Sequence, residues 1–232
     1  MPSLSRCLPF LLAASLIGCQ PSAQTTPADH AANGGTDSPS PAAATTKAPA
    51  SPAASLSGEA SLQPLLKPGD QILAFKQHDL TGNGGTDAVA IVRHANADAS
   101  GNTCELLVLQ QANAAWNVAD RSPQAVDCLY NDVARNAKRL DHNLSLKPQE
   151  IVYVNQQTRS NVTYTLKYDP AKKAWYLAEA SSTAPAENPQ SGAMDVFRGT
   201  ASYPADFAWT PISQIDPEKL QDAMDKHRAV VQ

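Results

Sequence analysis

Asp79-Leu80-Thr81-Gly82-Asn83-Gly84-Gly85-Thr86-Asp87 sets oxygen-bearing side chains at the first, third, fifth and ninth positions of a single loop. Gly84 stands at the sixth position, where a chain wrapping around an ion must turn sharply, and Gly85 at the seventh offers a backbone carbonyl. Calcium takes six to eight oxygen ligands, and this spacing wraps Asp79, Thr81, Asn83, Gly85 and Asp87 around one point. With only two formal charges, Asp79 and Asp87, such a site would be weak, with Kd on the order of 10⁻⁴–10⁻³ M. The same residues equally suit a glycine-rich β-turn held by Asx and Thr hydrogen bonds. Either way the loop would more readily staple the fold than perform chemistry.

Of the four cysteines, Cys7 and Cys19 belong to the N-terminal segment, which leaves Cys104 and Cys128 as an even pair. In an oxidising compartment they form a disulfide that closes a loop of about 25 residues, worth about 3.5 kcal/mol by chain entropy. Two buried thiols or two metal ligands are the alternatives, but no CxxC or HxxxH pattern accompanies them. His78 and His94 flank the acidic loop and the strand after it, while His142 and His227 are distant, so nothing encodes the convergence zinc requires. No GxSxG, SxxK or HExxH motif is present, and the expectation is a binding protein rather than an enzyme. Carboxylate pairs assembled only in three dimensions are the route left to a peptidoglycan-acting enzyme. Trp116, Trp175, Tyr164 and Tyr168 could form a ligand platform, although aromatics on hairpins more commonly fill a core.

The elements that must position these residues read mostly as strands. Gln71–Gln77 precedes the acidic loop, and Ala88–Val92 follows it as a continuous apolar run suited to burial on both faces. Cys104–Leu109 is a second such run; Ala112–Ala115 turns the chain and Trp116–Ala119 returns. Ile151–Val154 is β-branched and aromatic. Val162–Tyr168 alternates, with its valine, tyrosines and leucine on one face, and Asp169–Lys173 turns it into Trp175–Leu177. Pro123–Ala137 reads as a segment containing a short helix, and Ser182–Gly192 as a polar loop. Asp216 caps a C-terminal helix with Pro217 at its first position, and Leu220, Ala223, Met224 and Val231 are expected on one face of it. The expected class is therefore mainly β: an antiparallel domain, propeller-like or sandwich, with a C-terminal helix.

The N-terminus states a location. Arg6 and the apolar run Leu8–Ile17 have the parts of a secretory signal, and the run is too short to span a bilayer, which takes about 20 apolar residues. Leu16-Ile17-Gly18-Cys19 at its end resembles a bacterial lipobox. The resemblance implies cleavage before Cys19 and covalent lipid on that residue, leaving residues 1–18 as signal peptide. Gln20 in place of Asp implies the outer membrane, with the chain facing the periplasm. Between Gln20 and Ser55 there is no Val, Ile, Leu, Met or aromatic residue, so residues 19–57 read as a lipidated cysteine and a disordered tether. Its flexible reach is on the order of 35 Å. Residues 58–232 then form one β-rich domain, large enough for a core of its own. The net charge is −4, one unit more negative once Arg6 is removed, and it gives no electrostatic reason to bind nucleic acid.

The acidic loop lacks the bidentate Glu of an EF-hand, since Ala90 occupies the twelfth position within an expected strand. It resembles instead the Asp-rich calcium loops that join strands in FG-GAP and VCBS-type repeats. Those usually carry Asp or Asn where this chain has Thr81, and Asp where it has Asn83. Together with Val89–Val92, Leu106–Leu109, Trp116, Cys128, the Tyr164–Leu177 hairpin and Pro204-Ala205-Asp206-Phe207, the loop is similar to a group of exported bacterial proteins and lipoproteins. The likeness covers roughly residues 70–215. Within that neighbourhood the chain resembles calcium-binding periplasmic immunity lipoproteins related to invertebrate-type lysozyme inhibitors. The resemblance implies a membrane-anchored binding lipoprotein that inhibits a peptidoglycan hydrolase through an inserted loop, with Ser182–Gly192 and Arg198–Tyr203 as candidates. The alternative is an accessory lipoprotein of an envelope or secretion assembly without inhibitory activity.

Overall fold

The computed structural model describes residues 58–231. Cys19, the leader and the tether lie outside the described residues. Among the described residues no helix is long and apolar enough to cross a membrane.

The protein is mainly β, built from two antiparallel sheets. The first is a meander of β1 (Gln71–His78), β2 (Asp87–Arg93), β3 (Cys104–Ala112) and β4 (Ala115–Ser122), in that spatial order. The β3–β4 turn holds both Asn113 and Ala114 at positive φ, as a two-residue hairpin of matching twist requires. The second sheet contains β5 (Leu144–Lys147), β6 (Glu150–Gln156), β7 (Asn161–Asp169), β8 (Ala174–Glu187) and β9 (Met194–Ser202). β10 (Thr210–Pro211) pairs with β8 and β11 (Ala229–Val230) with β9. Two short helices complete the order, α1 (Asp132–Asn136) and α2 (Pro217–Asp225).

Alternation explains why the first sheet is buried on both sides. Val89, Ile91, Leu106 and Val108 join the main core with Tyr153, Tyr164, Leu166, Trp175 and Leu177 of the second sheet. Ala88, Ala90, Val92, Leu107 and Leu109 point the other way, into a smaller cluster with Leu62 and Trp116. Leu62 comes from a 3₁₀ helix, Gly58–Leu65, and Trp116 Nε1 donates to Ser61 Oγ on it at 2.6 Å. Two sheets around one core make this the sandwich of the two architectures expected. Trp116, Trp175 and Tyr164 are all at most 4 % exposed, so their rings fill the cores rather than form an exposed platform, although Tyr164 also borders a cavity.

Three expectations change. Ser182–Gly192 is not a loop: β8 continues to Glu187, and only 188–193 turns. Arg198–Tyr203 likewise lies almost entirely in β9. Ser182–Ala186 and Thr200–Ser202 are half-buried or buried strand, whose small and polar residues mimic loop composition. Val231 does not extend the helical face, because α2 ends at Asp225 and Val231 follows β11 with 46 % exposure. In Pro123–Ala137 only Asp132–Asn136 is helical, capped by Asn131 Oδ1, which accepts from the amides of Val133 and Ala134.

α2 begins as expected, with the Asp216 side chain accepting from the Lys219 amide and Pro217 in the first turn. Its Leu220, Ala223 and Met224 cover β9 and β8.

Candidate functional site

The acidic loop joins β1 to β2, as the sequence requires. Asp87 is 3 % exposed, and its Oδ2 accepts from the Leu80 amide (3.0 Å), the Thr81 amide (2.9 Å) and Thr81 Oγ1 (2.9 Å). Asp79 Oδ1 accepts from the Gly82 amide at 2.8 Å and Oδ2 from the Gly84 amide at 3.0 Å. Asn83 Oδ1 accepts from the Gly85 amide at 2.6 Å. Gly82 and Gly84 sit at φ 71° and 76°, in the left-handed region that glycine enters without strain. The structure thus brings Thr81 and Asp87 together but turns Asp79 and Asn83 toward separate loop amides. Side-chain oxygens of Asp79, Thr81, Asn83 and Asp87 take part in hydrogen bonds that close the turn. No group of three or more His, Cys, Asp or Glu converges on a metal-sized point among the described residues. In this geometry the loop is a self-bonded turn, tied to the second sheet by the Gln149 amide, which donates to the Leu80 carbonyl.

Cys104 and Cys128 form a disulfide, each 2 % exposed, joining the start of β3 to the segment before α1. Two asparagines that composition did not single out organise that segment. Asn102 is 3 % exposed and places Nδ2 within 3.0 Å of the carbonyls of Cys104, Pro123 and Val126, while its Oδ1 accepts from the Cys128 amide. From the other sheet, Asn155 Oδ1 accepts from the Asp127 amide and its Nδ2 donates to the Ala125 carbonyl. Buried amides with both ends satisfied hold an irregular segment in one conformation.

His94 bridges two carboxylates: Nδ1 is 3.0 Å from Asp70 Oδ2 and Nε2 is 3.2 Å from Glu105 Oε2. Arg121 reaches Glu105 at 3.5 Å. Burial raises the Asp70 pKa, but the Lys67 amide, the His94 ring and the Ala95 amide outweigh it and hold the carboxyl below its ordinary value. The carboxylates lie on opposite sides of one imidazole, so they share no point at which an ion could sit. Among the described residues the ring's hydrogen-bond partners are the two carboxylates, which makes the cluster a bridge between the β1 entry and β3. His78 donates from Nδ1 to the Asp79 carbonyl, and His227 pairs with Asp206 at 2.7 Å.

The most prominent feature is the β8–β9 hairpin. β8 is 14 residues long, and its pairing with β7 ends at Thr183. Ala184–Glu187 therefore pair only with Phe197–Met194 of β9; β11 flanks β9 at Phe197 and the Val231 amide donates to the Val196 carbonyl, so the two-stranded ribbon proper is Ala186–Glu187 against Asp195–Met194. The tip is internally braced: the Asn188 amide donates to the Ala193 carbonyl, Gly192 donates to the Asn188 carbonyl, and Asn188 Nδ2 donates to Asp195 Oδ2 at 2.6 Å. Met194 and Val196, two apart and so on one face, are 67 % and 46 % exposed. At the base, the Arg228 guanidinium lies 4.7 Å from the Phe197 ring centroid. Ser182–Gly192 and Arg198–Tyr203, proposed as separate loops, are the two facing sides of this one hairpin and its base.

No family model matches this chain, and no curated protein or solved structure matches it either.

Proposed function

We propose that the chain is a membrane-anchored periplasmic binding lipoprotein that inhibits a peptidoglycan hydrolase, with the β8–β9 hairpin as the element that enters the enzyme's cleft. One observation carries the reading: a braced ribbon extends past its sheet neighbour and exposes Met194 and Val196 on one face. A pre-ordered, narrow projection loses little entropy on binding, and apolar side chains at its flank supply contact area. Lipid on Cys19 and the tether of residues 19–57 would hold the domain at the outer membrane while allowing it to search for the enzyme. Calcium has no necessary part in this reading, because the acidic loop is closed by its own amides.

Titration of the purified chain into lysozyme-type hydrolases, with lysis of peptidoglycan as the readout, tests the proposal. Stoichiometric inhibition that is lost on replacing Met194 and Val196 by serine supports it. Absence of inhibition across such a panel leaves the accessory role in an envelope assembly as the better account.

A further inference from the structure

A cavity of about 470 Å³ opens where the segment before α1, strand β7 and the first turn of α2 meet. Its polar wall carries three carboxylates, Asp127, Asp216 and Glu218, and none of the described residues lining it is a Lys, Arg or His. Acidic walls alone make no site. What singles this one out is Tyr164, which is 3 % exposed, lines the cavity, and makes no side-chain hydrogen bond to any described residue. Its hydroxyl is not among the fully enclosed unpaired atoms, so on a side chain otherwise packed in the core it is left to the cavity and is available to an occupant.

The spare atoms around Tyr164 decide what that occupant is. Asp127 uses Oδ1 to accept from the amides of Leu129 and Tyr130, which leaves Oδ2 free. Gln221 donates from Nε2 to Asp225, which leaves its Oε1 free. Burial, and then the negative charges of Asp127 and Asp216, push the Tyr164 phenol well above its ordinary pKa, so it stays neutral beside them. Asp216 is already engaged by Lys219 Nζ at 2.8 Å, whereas Asp127 has no cationic partner among the described residues. The unused capacity is therefore mostly acceptor, with one uncompensated charge. A group that only donates, an ammonium or a guanidinium, complements it; a sugar hydroxyl, which must also accept, does so less well. Leu129, Val162, Ile215 and Met224 supply an apolar surface beside the acceptors.

We infer that this cavity binds a primary ammonium or guanidinium group carried on an aliphatic stem, with Asp127 and Tyr164 as the residues that receive it. The stem lies along Ile215 and Met224 and the charged head faces Asp127 Oδ2. A free diamine and the side chain of a lysine or arginine in a partner share this chemistry, and the occupant need not be the partner of the hairpin.

Calorimetric titration of the full-length chain with 1,5-diaminopentane, and separately with N-acetyl-lysine and N-acetyl-arginine methylamides, tests the inference; 1,5-pentanediol and an N-acetylglucosamine oligomer serve as neutral controls. The expected result is saturable binding of at least one cation and none of the controls. Asp127→Asn, which keeps the acceptor that caps Leu129 and Tyr130, should weaken binding about tenfold. Tyr164→Phe should weaken it with an unchanged unfolding midpoint, and Glu218→Gln, at the exposed rim, should do so only slightly. Tighter binding of the free diamine identifies a small metabolite, and tighter binding of the capped amino acids identifies a partner side chain; both support the inference. No saturable cation binding up to about 10 mM, equal binding of the diol, or undiminished binding by both Asp127→Asn and Tyr164→Phe overturns it.

Discussion

Pro185 lies opposite Val196 on a length of β8 that has no described strand on its other side. Proline has no amide to donate, so it fits a strand edge, and there it blocks pairing with a second chain. A projecting ribbon that must stay free for a partner needs such a guard. Pro185→Val is expected to raise self-association relative to the unaltered chain in sedimentation velocity, with little change in thermal midpoint. Unchanged sedimentation would mean that the edge is protected by something else.

Gly199 passes directly beneath α2. A Cβ added there would sit 2.5 Å from the Met224 carbonyl oxygen and 3.0 Å from its carbon, both backbone atoms that cannot swing aside. Gly199→Ala should therefore displace α2 and cost about 1–3 kcal/mol in chemical denaturation, as overpacking does. An unaltered denaturation midpoint would show that α2 is held less closely to β9 than the structure indicates.

The acidic loop offers a direct comparison between its two readings. Asp87→Ala strands the amides of Leu80 and Thr81 in a buried position and should cost about 1–3 kcal/mol. Asp79→Ala, at the exposed end, should cost less. If hydrogen bonds close the loop, both losses are the same in calcium and in chelator. Losses that appear only with calcium present would show that the ion holds the loop.

Acid should weaken the fold through two carboxylates. Asp141 is held below its ordinary pKa of 3.8, first by the Arg139 side chain and then, against the effect of burial, by the Phe75 amide; Asp70 is shifted the same way. A carboxyl whose folded pKa is depressed gives stability that is complete above its unfolded pKa and is lost as pH falls through the folded value. Stability should therefore drop below about pH 4. Half-buried Asp120 works in the opposite sense, because burial raises its pKa and protonation relieves the cost. Asp141→Asn should cost about 1 kcal/mol near neutrality and less in acid, whereas an equal cost at both pH values would remove Asp141 from the acid response.

Much of the architecture was readable because local pattern and burial agree. The run Ala88–Val92 had to be buried on both faces, and the two clusters on either side of β2 show why. Val162, Tyr164, Leu166 and Tyr168 share a face because β7 alternates regularly. Asp216 and Pro217 start α2 by capping chemistry that acts over three residues. Its end was not readable: the apolar spacing runs on to Val231, no glycine marks a stop, and the His227 amide closes on Met224. The hairpin escaped because Ser181, Ser182, Thr183 and Pro185 have the composition of a loop, and only their pairing with β9 makes them strand. The convergence of Tyr164, Asp127 and Asp216 on one cavity is set by long-range packing that no local pattern encodes. Likewise the spacing from Asp79 to Asp87 was visible, but not that Asp87 would turn inward to the amides of Leu80 and Thr81.

The central claim is that the β8–β9 hairpin binds and blocks a peptidoglycan hydrolase. The most direct measurement titrates the purified chain, and its Met194→Ser/Val196→Ser variant, into lysozyme-type hydrolases, including those of the same cell, while following peptidoglycan lysis. The account predicts stoichiometric inhibition by the unaltered chain, and inhibition weakened at least about tenfold in the variant with no change in thermal midpoint. Inhibition of equal strength by both proteins, or by neither, would contradict it.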